Sequence, residues 1–147
     1  MSTIRNILLY QLHQASETIH SLKQAHPGNF CPRKHESDWK AYQAAKHTAS
    51  VCLTAIKILK LNGGACPENK AEFNKLFWDN RKALTNHARH GKKRTHAMAA
   101  FKMLRKLANR IENGAIPDLK ALAEQHAAKR QAEFEARVAA GGEVASV

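Results

Sequence analysis

The densest chemistry in the chain lies between His87 and His96, which reads His-Ala-Arg-His-Gly-Lys-Lys-Arg-Thr-His. Lysine and arginine that neutralise phosphates release condensed counterions, and the free N–H groups at a helix start favour the same ligand. A helix is expected to open at Lys93, so both effects meet at Arg89, Lys92, Lys93 and Arg94. The helix dipole disfavours cations there unless an anion is bound, and such a local conflict is typical of a ligand site. A solvated basic turn is the plainer account of the same residues. Further on, Lys102, Arg105, Lys106 and Asn109 fall at helical spacing opposite Phe101 and Leu104. They would extend a row that tracks phosphates, though such a row is also the ordinary wet side of an amphipathic helix. With Gly91 in a turn, the flanking helices have the outline of a helix-turn-helix, although the first is much longer than that motif uses.

Other constellations carry less. His26, Cys31 and His35 have the residue types of a zinc half-site that His87, His90 or His96 would have to complete, but the spacing matches no familiar finger and the surrounding cations oppose a divalent metal. Glu17 and His20 have Glu-x-x-His spacing without the second motif and facing glutamates of a di-iron bundle. There is no Gly-x-Ser-x-Gly and no phosphate-cradling glycine loop. No catalytic group, metal or cofactor is therefore expected. Trp39, Tyr42, Phe73, Phe77 and Trp78 concentrate aromatic mass, with core packing the main expectation and base stacking open to Trp78 if it is exposed.

The elements that must position these groups are helices. The first is expected from Thr3 to Ala25, with the stripe Leu8, Leu12, Ala15, Ile19, Leu22, and ends before Pro27-Gly28. The second starts with Ser37 or Asp38 as N-cap and runs to Leu61, stopped by Asn62-Gly63-Gly64. The third opens at Pro67 and continues to Gly91; the fourth spans Lys93 to Asn113, with Ala97, Phe101, Leu104, Ala108 and Ile111 inward. The fifth runs from Pro117 to Ala140, with few large apolar residues. Apolar steps averaging 3.5 residues describe an all-α antiparallel bundle of four to five helices. Residues 1–114 form the basic core, 115–140 an Ala-rich helix that projects or self-associates, and 141–147 a tail that frays.

Up-down order would bring the 26–36 loop and the 90–95 turn to one pole, adding Arg33 and Lys34 to the cationic cluster. The 147 residues carry 24 Lys and Arg against 12 Asp and Glu, a net +12. Residues 91–114 hold seven bases against Glu112, half of that excess, whereas 115–147 are net −1. Such a balance suits polyanionic partners. No apolar run approaches a membrane span, and no secretory leader is evident. Three cysteines without CxxC spacing favour a reducing cytoplasm over a disulfide framework. The expectation is a non-catalytic protein that binds DNA or RNA through backbone phosphates. A small basic adaptor or inhibitor docking on an acidic protein surface is the alternative, with the C-terminal helix as a partner or homo-oligomer surface.

Overall fold

The computed structural model describes residues 3–85 and 93–141, with the side chains of Thr85 and of residues 93–96 outside that description. The described residues form six α-helices and no strand. They are α1 (Thr3–Ala25), α2 (Glu36–Leu61), α3 (Lys70–Asp79), α4 (Arg81–Thr85), α5 (Lys93–Glu112) and α6 (Pro117–Gly141).

The first helix matches its expected span. The second ends as expected, where Gly63 takes φ +72° and Gly64 donates its N–H to the Leu59 carbonyl at 2.7 Å. Its start differs. His35 occupies the N-cap and makes no side-chain cap bond. Asp38 is drawn elsewhere, its carboxylate accepting from His26 Nε2 at 2.6 Å across the connecting loop. Toward its C-terminal half α2 buries Val51, Cys52, Ala55, Ile58 and Leu59. Thr54 is buried with them and satisfied, donating from Oγ1 to the Ser50 carbonyl at 2.9 Å. Burial pushes the Cys52 thiol up to about 11, so it packs as a small protonated hydrophobe.

The stretch expected as one helix from Pro67 to Gly91 is shorter and broken. Pro67 is buried ahead of the helix, and Asn69 caps it by accepting from the Glu72 N–H at 2.9 Å. Glu72 reaches back to the Glu68 N–H, also at 2.9 Å, much like a capping box. Asn80 then interrupts the chain. Its N–H and its side-chain amide both return to the Leu76 carbonyl, and its own carbonyl accepts from the Leu84 N–H to start α4.

Helices α6, α1, α2 and α5 pack in that order, each against the next, with α4 lodged against α2 and α5. The antiparallel sense of α1 and α2 is visible at both ends: His26 meets Asp38, while Arg5 shares a surface cleft with Ile56, Leu59 and Lys60. Helix α6 also runs antiparallel to α1, because His13 lies 4.8 Å from His126 and Arg5 lies across a cleft from Phe134 and Arg137. From α5 the core takes Ala97, Ala100, Phe101, Leu104 and Leu107, whereas α6 gives it Ala123. No helix among the described residues is long and apolar enough to cross a membrane.

Candidate nucleic-acid interface

Helix α5 turns its apolar stripe inward, which leaves Lys102, Lys106, Asn109 and Arg110 exposed on its outer side. Lys102 and Lys106 are one turn apart, roughly 6 Å along the axis. Neither they nor Arg110 form an ion pair among the described residues. The adjoining sequence run is only partly described: Arg89 and Lys92 lie outside the described residues, and Lys93 and Arg94 begin the α5 backbone.

Arg105 leaves the row. It is half-buried, and its guanidinium donates to the Pro67 carbonyl at 3.5 Å and approaches the Cys66 sulfur at 4.0 Å. Burial raises the Cys66 thiol above its ordinary value, and the neighbouring Arg105 charge partly offsets this. On the other side Lys57 of α2 donates to the Ala83 carbonyl at 3.2 Å, near the C-terminal end of α4 where cations are favoured. Two basic residues thus clasp the short α3–α4 arm to the long helices.

Arg33 and Lys34 are exposed in the turn before α2. The expected gathering of these residues with the start of α5 depends on the 67–91 stretch crossing the whole bundle. It does not cross. The two pieces have ten and five residues, and Ala83 sits beside Lys57, about 31 Å along α2 from Glu36. Because α6 opens beside the C-terminal half of α1, α5 must finish at the end that carries Arg33 and Lys34. It follows that α5 starts at the end marked by Gly63 and Gly64. The backbone of Lys93 and Arg94 therefore lies at the opposite end from Arg33 and Lys34, with Lys102, Lys106 and Arg110 following along α5. The helix has 20 residues, or roughly 30 Å, the length of about nine duplex steps of 3.4 Å.

Two further regions carry polar chemistry. Trp78 is 53% exposed at the α3–α4 break, with the Arg81 guanidinium 5.6 Å from its ring centre. The 26–39 loop is closed by rings: His26 lies 3.8 Å from His35 and stacks on Phe30 at 5.0 Å, and Phe30 meets Trp39 edge-on. Among the described residues no group of three or more His, Cys, Asp and Glu is placed to hold a metal ion. His87 and His90, required for the zinc half-site, lie outside the described residues, as does the side chain of His96.

What the sequence hid is a cleft between α1 and α6 lined by Arg5, Arg130 and Arg137 together with Glu133. Arg130 and Arg137 are seven residues apart and so share a face of α6, a signal masked by that helix's acidic surroundings. Nothing in the sequence ties them to Arg5. Comparison with protein-family models, with curated proteins and with solved structures finds no match to this chain.

Proposed function

We propose that this protein binds nucleic acid non-catalytically, along α5 and through backbone phosphates. The observation that carries this is the outer side of α5, where Lys102, Lys106 and Arg110 stand exposed without a carboxylate partner among the described residues. Unpartnered cations in a row on a rigid helix can exchange condensed counterions for the protein without first breaking ion pairs. Lys93 and Arg94 open the backbone of α5, with Arg89 and Lys92 just before them in sequence. Arg33 and Lys34 stand at the end where α5 finishes. Arg105 contributes by bracing the scaffold behind the row. The exposed indole of Trp78 offers an unstacked base a platform, with Arg81 beside it.

The test is anisotropy of labelled single- and double-stranded DNA and RNA, titrated over a range of salt for the wild type and the Lys102→Glu/Lys106→Glu variant. We expect the logarithm of affinity to fall linearly with the logarithm of salt. The variant should bind at least tenfold more weakly at low salt, with a slope flatter by about two. A folded variant with unchanged affinity and slope removes α5 as the interface.

A further inference from the structure

We propose that the second half of α6 is held to α1 by a proton-sensitive latch, the His126 ring packed against His13 and Tyr10, and that mild acid releases it. This does not rest on the α5 interface. The start of α6 is anchored in the core by Ala123, with Ile116 and Leu119 partly buried beside it. After Ala123, the half-buried residues of α6 are His126, Ala127 and Arg130, and every other one to residue 141 is exposed. An alanine methyl buries little apolar area, so the hold on α1 beyond Ala123 passes mainly through His126. Its ring centre lies 4.8 Å from that of His13 and 5.7 Å, edge-on, from that of Tyr10.

This seam favours a neutral ring. Burial lowers the His126 pKa below its ordinary 6.5; Arg130, His13 and Lys129 act in the same direction, and Glu133 opposes them. These causes divide by helix. Arg130, Lys129 and Glu133 travel with α6 whether or not it is docked. Burial and the charge of His13 act on His126 only while α6 lies on α1. The docked state therefore takes a proton at His126 less readily than the released one. His13 Nε2 is 3.1 Å from Glu17 on α1, a contact that becomes an ion pair once His13 is protonated. With both rings charged, two like charges face each other across the seam. Above about pH 6.5 His126 is neutral in either state, and docking carries no proton penalty. As pH falls below that value the released state takes its proton first, and the balance moves toward release. A protonated Nδ1 also no longer accepts from Arg130 Nε, 3.3 Å away, so the bond that holds Arg130 beside the seam goes with it.

Hydrogen exchange of the full chain at about pH 7.5 and about pH 5.5, corrected for the intrinsic effect of pH, tests the latch, with α2 as internal reference. We expect the protection of residues 126–141 to fall about threefold or more relative to α2. Nuclear Overhauser contacts between the Tyr10 and His126 rings, present at the higher pH, should weaken in parallel. His126→Phe keeps a ring against α1 but takes no proton, so α6 should hold its protection at both pH values. His126→Gln, which takes no proton either, should likewise remove the acid response if the phenyl ring disturbs packing. His13→Gln should reduce the response, because it removes the charge that docking brings to His126. Unchanged α6 protection in acid overturns the latch, as does a loss shared equally by α2. A loss that survives both His126 variants overturns it too, and so does the absence of the Tyr10–His126 contact at the higher pH.

Discussion

His126 shows how one side chain records its surroundings. Burial lowers its pKa below the ordinary 6.5; Arg130, His13 and Lys129 act in the same direction, and Glu133 opposes them. The bond from Arg130 needs the Nδ1 lone pair, so it is lost if that nitrogen takes a proton. Between the lowered folded value and 6.5 the unfolded chain binds more protons than the folded one. This contribution is therefore fully present above about pH 6.5 and declines as pH falls through that window. In a proton NMR titration the His126 ring should show a midpoint below 6.5, and His126→Gln should reduce the loss of urea resistance between pH 7 and pH 5.5. A midpoint above 6.5 would mean that Glu133 outweighs its cationic neighbours.

At the scale of elements, the α3–α4 arm is held by Phe73, Phe77 and Leu84 in the core and by two basic clasps. Phe73 is fully buried and stacks on Phe101 with ring centres 4.7 Å apart. Truncating a buried phenylalanine costs about 3–5 kcal/mol, a large part of a typical domain's stability. Phe73→Ala should lower the urea midpoint accordingly, and a change below about 1 kcal/mol would show that the arm contributes little to the cooperative core. The helices themselves were legible in the sequence because apolar steps and Gly or Pro stops set their limits, as at Ala25 and Leu61. The break at Asn80 was not legible, since Phe73, Phe77 and Leu84 keep helical spacing straight through it. Asn80 ends one helix and starts the next with its own polar groups, a local choice that apolar periodicity does not register. The sense of α5, fixed by where α6 opens beside α1, was not legible either, and it separates Arg33 and Lys34 from the start of α5. The exposed row of Lys102 and Lys106 was readable from spacing alone. The bonding of Arg105 to Pro67, 38 positions away, was not.

For the molecule as a whole, charge is the dominant surface property. A net +12 repels itself in the folded state. The ion pair of Lys40 with Glu36 at 3.1 Å is exposed and contributes little. With 24 Lys and Arg against 12 Asp and Glu, added salt relieves more repulsion than attraction. The melting temperature should rise from low salt to about 0.15 M, where the Debye length shortens to roughly 8 Å. Nucleic-acid affinity should fall over the same range. A melting temperature that drops with salt would point to attractive pairs outweighing the excess.

The outermost position of α6 has a further consequence. It buries Ala123 in the shared core and exposes every residue from 131 to 141, so its docking on α1 draws on far less apolar burial than α2 does. Helices of this kind belong to the low-stability end of a fold and can open while the rest remains closed. The three-arginine cleft exists only while α6 is docked, since Arg5 belongs to one wall and Arg130 and Arg137 to the other. Any ligand that bridged the two walls would, by mass action, also hold α6 against α1. Ligand occupancy and the attachment of the last helix are then one equilibrium observed from two sides.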